Sequence, residues 1–361
     1  LDELLAQLKD MEDFPEGERG PEAIQARRER AQENFEYFAR TYLPELIQGQ
    51  GCDLHAALAQ LLQDLGDGDR ILHQDPGAFG ELIAPDADAQ APEGRPDIQV
   101  VPIAAPRGHA KSTWGSLAFP LWCLLTGRQG YAVLLSDVED QAAAFVEAMR
   151  AVIEDSPRIR TDFGAIEASG PEGCLDFLAP VLPSGTRPRW RVVRFLGLGA
   201  KQKLRGRNFH GRRPGLVIQD DVENDQAVEN ADLRRKLRRW FFKAVLPALA
   251  PTSGILLALG TILHDDSLLM SQLKTFGGPI WRCWDSNERP LWGERFSQGH
   301  LRWLRTQMDR EEPGSFAQEY ENRAQGDDDK PFKKFETYDA LPPRLSILTH
   351  VDPAFGRQLS D

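Results

Sequence analysis

Apolar residues recur at helical spacing near the amino terminus. Phe35, Phe38, Ala39 and Tyr42 share one face of a helix over Gln32–Tyr42, and Leu54–Leu65 repeats with the same period. Residues 1–65 therefore read as a helical cover. Residues 66–97 are rich in Gly, Pro, Asp and Ala with weak periodicity, which predicts an irregular connection. The pattern changes at Ile98. Strand-like Ile98–Ala104 (IQVVPIA) and Tyr131–Ser136 (YAVLLS) alternate with helices expected over Ser112 to about Leu125 and Val138 to about Ile153. That β–α–β–α rhythm predicts an α/β fold with a mainly parallel sheet and helices on both faces. Trp190–Leu196, Gly215–Gln219 and Ile255–Gly260 supply further strands, the last two apolar throughout as central strands are.

After His264 the apolar runs shorten, and Gly277–Pro279, Arg289–Glu294 and Gly326–Lys330 read as turns. His264, Asp265 and Asp266 read as a cap beside Ser267 at the start of a Leu-rich helix rather than as a metal cluster. The resulting division is a core over 98–265, a lid or linker subdomain over 266–325, a linker over 326–343, and a last segment over 344–361 with one strand candidate, Ser346–Val351.

Composition narrows the class. A chain of 361 residues that is 41% hydrophobic can bury a substantial core. Its longest apolar run, Leu117 to Leu125 with Pro120 inside, is about half of the ~20 residues a membrane helix needs, so no membrane span is expected. The start LDELLAQLKDMEDF is acidic and amphipathic without a charged-then-apolar pattern, so secretion is not expected. Cys52, Cys123, Cys174 and Cys283 are too widely spaced for a zinc knuckle or redox motif, which suits a reduced compartment. The formal charge of −12 argues against indiscriminate coating of DNA. Charge is nevertheless unevenly spread. From Phe177 to Gln219 there is no acidic residue, while ten arginines and lysines fall inside, able to face phosphates of nucleotide or DNA. A second basic cluster, Arg234 to Lys243, lies on an expected helix, where a solvated face is the simpler reading.

The sequence IQVVPIAAPRGHAKST has the order a phosphate loop needs: a strand, a turn whose amides face the phosphates, a lysine, then a hydroxyl at a helix start. Pro106, Arg107, Gly108, His109, Ala110, Lys111, Ser112 and Thr113 would cradle the phosphates of ATP. Lys111 would neutralise the terminal oxygens and Ser112 would ligate Mg2+. Ala105 and Ala110 stand where the pattern asks for glycine, which is compatible if the backbone there needs little positive φ. Arg107 could bring a second cation to the γ-phosphate. A basic loop that merely caps a helix is the structural alternative.

ATP hydrolysis also needs one carboxylate for Mg2+ and a second to orient the attacking water. In GLVIQDDVEND, Asp220 is the candidate for the metal and Asp221 for the water, with Glu223 in reserve. Neighbours on an extended strand point to opposite sides, so the pair must lie where the strand breaks. About 110 residues separate these acids from the loop, with strands between, as in a P-loop NTPase of the additional-strand type.

Five stretches then stand in a familiar order: FARTYLPEL with the later DLH, APRGHAKST, LGLGAKQKLRGRNFHGRRPGLVIQDDVEND, LALGTILHDDSLL, and THVDPAFG. Through them the chain, from about residue 35 onward, resembles the large terminases of tailed phages and prophages. The resemblance implies a P-loop ATPase followed by an RNase H-like nuclease, driving double-stranded DNA into a procapsid in the host cytoplasm. Implied partners are the portal protein, a small terminase subunit and copies of the chain in a ring. Arg107 would match the family's loop arginine, and Arg205 the arginine offered to a neighbouring subunit's ATP, with Arg207 its nearest competitor. Gly260 and Thr261 resemble the family's coupling motif, which senses the γ-phosphate. Asp352 resembles the first acid of the nuclease, which uses Mg2+ or Mn2+; since a two-metal site needs further carboxylates, cleavage by this chain alone is not expected. Tyr42 and His55 lie where the family often closes over adenine, although packing is the simpler role for each. The alternatives are a helicase or other translocase, and a degenerate P-loop module that binds without turnover.

Overall fold

The computed structural model describes residues 11–47, 49, 51–69, 74–86, 98–181 and 189–324. The chain divides into Leu1–Gln325 and Gly326–Asp361. The second unit, which includes the expected linker 326–343, the strand Ser346–Val351, the segment 344–361 and Asp352, lies outside the described residues.

Three helices form the amino-terminal cover: α1 (Pro21–Glu33), α2 (Phe35–Tyr42) and α3 (Asp53–Asp67). Asn34 breaks the first two apart by capping α2, its side chain accepting the amide of Tyr37. Strand β1 (Gly80–Ile83) and β2 (Gln99–Ala104) follow. Then come a π-helical turn (Thr113–Ala118) continuing into α4 (Phe119–Leu125), β3 (Tyr131–Ser136), α5 (Glu139–Asp155) and α6 (Pro157–Phe163). Strands β4 (Ala168–Ser169), β5 (Cys174–Val181), β6 (Arg189–Gly199) and β7 (Leu216–Asp220) precede α7 (Asp225–Glu229) and α8 (Ala231–Trp240). The last elements are β8 (Ile255–Gly260), α9 (Leu268–Phe276), β9 (Gly278–Trp281), α10 (Gln298–Glu311) and α11 (Ser315–Glu321).

Nine strands make one sheet in the order β1-β9-β2-β8-β7-β3-β6-β5-β4. From β9 to β6 neighbours run parallel, and the two edges are antiparallel. Central strands β3, β7 and β8 are buried at every residue, as strands covered on both faces must be. One face turns Val101, Ile103, Leu134, Ile218 and Leu257 toward the cover and the π-turn, where Phe35 meets Trp114, Phe119 and Trp122 edge-on or tilted. The alternate residues Val133, Leu135, Val217 and Leu256 pack under Leu237, Phe241, Leu268 and Leu273.

Several expectations change. Residues 66–97 are not irregular throughout, because β1 lies within them and pairs with β9. Gly277–Pro279 is not simply a turn. Gly277 ends α9, but Gly278 opens β9, and a Cβ there would lie 2.2 Å from the Pro102 carbonyl oxygen. This glycine marks a close strand approach. The sheet therefore exceeds the expected core of 98–265 at both ends. A separate small core, built on Cys283, Trp284, Phe296, Leu301 and Phe316, begins well after residue 266. Strand β5, antiparallel to β6, was not expected at all. Among described residues no helix is long and apolar enough to cross a membrane.

Candidate functional site

Register brings the site together. Ala104 at the end of β2 lies beside Gly260 at the end of β8, and Leu259 of β8 lies beside Asp220 at the end of β7. The expected phosphate loop, the Gly-Thr pair and the acid pair thus leave the sheet at one edge, the carboxyl-terminal edge where open α/β sheets hold ligands. The Ala105 amide donates to the Gly260 carbonyl at 3.0 Å, and Thr261 Oγ1 lies 3.5 Å from the Ala105 carbonyl, tying the loop's start to β8.

Lys111 and Asp221 form an ion pair, Nζ to Oδ2 at 3.0 Å, and Ser112 Oγ donates to Asp220 Oδ1 at 2.9 Å. Asp221 adopts φ +44, in the left-handed region. That turn resolves the strand-parity problem: Asp220 remains the last strand residue and Asp221 swings back to the same loop. Asp220 is 1% exposed, and its second oxygen, Oδ2, makes no hydrogen bond. Burial, reinforced by the charge of Asp221, raises its carboxyl to about 6. A buried carboxylate with a free oxygen next to a serine hydroxyl fits a divalent cation's donor set, and a cation there would relieve the desolvation.

The cleft beside this pair is lined by Arg107, Lys111, Asp137, Gln219, Asp221, Thr261 and Glu319. Arg107 is largely exposed and pairs with Glu319 of α11 at 3.2 Å, while its amide donates to the Glu319 carbonyl at 3.0 Å. The Glu319 carboxylate raises the Arg107 guanidinium above its ordinary value. Asn322, just past α11, accepts the Ile262 amide and donates to the Trp281 carbonyl, stitching the ends of β8 and β9 to that helix. Neither Glu319 nor Asn322 was legible, since both sit in a segment whose only pattern is a short helix.

Other candidates are engaged in other contacts. Glu223 also lines the cleft, but both its oxygens are taken, accepting the amides of Leu268 (2.7 Å) and Leu269 (3.0 Å) at the start of α9. Burial raises its carboxyl. In this arrangement its carboxylate serves as a cap for α9. Arg205 is away from this chain's cleft, its guanidinium donating to the Lys243 carbonyl, and Arg207 donates to the Lys203 carbonyl at 2.7 Å. Ser267 caps α9 through the Met270 amide, and Asp266 pairs with Arg234 and Arg238, as a cap segment rather than a metal cluster would. Tyr42 packs: it is fully buried, and its hydroxyl donates to Asp162, which also holds Arg27.

The loop itself departs from expectation at Ala110, whose φ is +59. Positive φ is required there, and alanine supplies it at a steric cost. Gly108 also has positive φ, +74, with Phe296 where a Cβ would reach 3.0 Å. His109 stacks on Phe296 and sends Nδ1 to the Arg107 carbonyl at 3.0 Å; burial lowers its imidazole to about 4. Thr113 opens the π-turn, and Pro106 is buried at the head of the loop.

In the segment β9-β2-β8-β7-β3, strand β8 separates the loop strand β2 from the acid strand β7. This arrangement defines a mixed α/β fold of the additional-strand P-loop class. Among solved structures, the chain is similar to the ATPase domain of the Thermus phage P74-26 large terminase. A mutant form of that domain is 18% identical at a TM-score of 0.39, covering 63% of this chain and 88% of the other. The domain without the substitution is 16% identical at a TM-score of 0.38, covering 72% and 96%. No family model and no curated protein matches the chain.

Proposed function

We propose that this chain is the ATP-hydrolysing motor of a phage large terminase, moving double-stranded DNA into a procapsid in the host cytoplasm. The observation that carries the reading is the convergence of Lys111 and Ser112 on Asp221 and Asp220 at one sheet edge. In this reading Lys111 leaves Asp221 for the β/γ oxygens of ATP, freeing that carboxylate to orient water. Ser112 and Asp220 would hold Mg2+, which would supply charge neutralisation of the phosphates. Arg107, already exposed at the cleft, contacts the γ-phosphate, and Thr261 lies at the strand end that would feel its loss. Arg205 serves a neighbouring subunit in a ring, with portal protein and small subunit as further partners. A nuclease function through Asp352 would require further carboxylates around two metal ions.

The test is ATP turnover with and without duplex DNA, alongside a strand-separation assay. The reading expects duplex-stimulated turnover that falls at least ~100-fold in Lys111→Ala and Asp221→Asn, with no unwinding. Turnover equal in all three proteins would leave a non-catalytic P-loop module, and unwinding would leave a helicase.

A further inference from the structure

The phosphate loop contains a backbone conflict that is answered from a distant part of the chain. Ala110 occupies the position where the motif asks for glycine, yet its φ is +59, a region that Cβ sterics disfavour. Something must hold the strained peptide. The carbonyl of the preceding peptide, at His109, lies 3.1 Å from Nε2 of His55 in α3, 54 residues earlier. The other ring nitrogen of His55, Nδ1, accepts the Cys52 amide at 3.1 Å. An imidazole that accepts at Nδ1 carries its proton on Nε2, so Nε2–H is the donor to the loop.

His55 is itself firmly placed. It is 3% exposed, stacks on Trp114 with centroids 5.9 Å apart, and meets Trp292 edge-on at 4.5 Å. At position N3 of α3 it also completes the capping of that helix through the Cys52 amide. Because a peptide unit is planar and trans, its C=O and N–H point in opposite directions. Drawing the His109 carbonyl toward the cover therefore turns the Ala110 N–H away from it.

We propose that His55 is a positioning residue for the phosphate loop: by holding the His109 carbonyl it maintains the left-handed backbone of Ala110 and aims that amide at the bound triphosphate. The inference rests on the phosphate-loop reading above. It also explains how a loop with alanine in place of glycine keeps its shape: the helical cover supplies a hydrogen bond in place of backbone freedom.

The test measures binding of the magnesium complex of a slowly hydrolysed ATP analogue. His55→Phe retains a ring but no donor, and His55→Gln retains a donor suited to a helix N3 position. We expect His55→Phe to weaken binding at least about ten-fold, equivalent to ~1.4 kcal/mol, and His55→Gln to remain within about three-fold. Adding Ala110→Gly to His55→Phe should restore most of the loss, because glycine adopts positive φ freely. Lys111→Ala is the control for the site itself. If the wild type does not bind the analogue, the phosphate-loop reading fails and takes this inference with it. If wild type binds and Lys111→Ala does not, but His55→Phe binds like wild type, or Phe and Gln lose equally, only the inference is overturned. Should substitution at this buried position prevent folding, 15N spectroscopy of the wild-type imidazoles decides: the Nε2–H tautomer at His55 supports the proposal, and the Nδ1–H tautomer overturns it.

Discussion

At the scale of single residues, Asp220 carries the site's most distinctive electrostatics. Its carboxyl is raised from 3.8 to about 6 by burial and the neighbouring Asp221. The folded apo protein thus binds this proton more tightly than the unfolded chain does. The associated stability is complete below about pH 4 and is lost as pH rises through 6. A bound magnesium–nucleotide complex requires the ionised form, so binding should release a proton in the same window. Affinity for magnesium–ATP should accordingly fall by up to about ten-fold per unit as pH drops below 6, measured by calorimetry in two buffers of different ionisation enthalpy. In Asp220→Asn this proton release should vanish; unchanged release would assign it to another group. His109 runs the opposite way. Its imidazole is lowered to about 4 by burial, so its contribution is present above 6.5 and lost as pH falls toward 4.

That these residues meet at one sheet edge was largely legible because they come as short contiguous motifs, APRGHAKST and IQDD, at the ends of readable strands. Their backbone states were not. Positive φ at Ala110 and Asp221 depends on what holds the chain, the His55 ring in one case and the end of β7 in the other. Nor could a linear pattern reveal that Glu319 would receive Arg107, since a carboxylate more than two hundred positions away has no spacing signature.

At the scale of elements, α9 shows how one residue's role is reassigned by packing. Its first amides are satisfied by Ser267 and by both oxygens of Glu223, whereas a helix start without partners leaves orphan donors. Glu223→Ala should destabilise the fold by about 2 kcal/mol, seen as a lower Tm, while leaving turnover per folded molecule nearly intact. A collapse of turnover without loss of Tm would return Glu223 to the chemistry. Central strands β3, β7 and β8 were readable because burial on both faces demands continuous apolar runs. The edges were not. β1 is four residues long and half exposed, and β9 opens with Gly-Pro, residues that otherwise punctuate turns.

At the scale of the whole molecule, an acidic protein offers a localised basic surface. Arg205 and Arg213 donate to the carbonyls of Lys243 and Pro247, seating the loop 201–213 against the turn after α8. Lys201, Lys203, Arg212, Lys236, Arg239 and Lys243 are exposed there. If this surface grips DNA through phosphates, the pair Lys236→Ala and Arg239→Ala should reduce the log–log salt dependence of duplex binding by about 2. The loss should be the same for any duplex sequence. An unchanged slope would move the DNA path to another face.

The central claim is that Lys111 and the Asp220–Asp221 pair surround a single magnesium-bound triphosphate. Binding of an ATP analogue, titrated with and without Mg2+ for wild type, Lys111→Ala and Asp220→Asn, tests it most directly. The account predicts that Mg2+ strengthens wild-type binding, that Asp220→Asn loses this gain while still binding the free nucleotide, and that Lys111→Ala binds poorly in both conditions. Equal magnesium dependence in wild type and Asp220→Asn would contradict it.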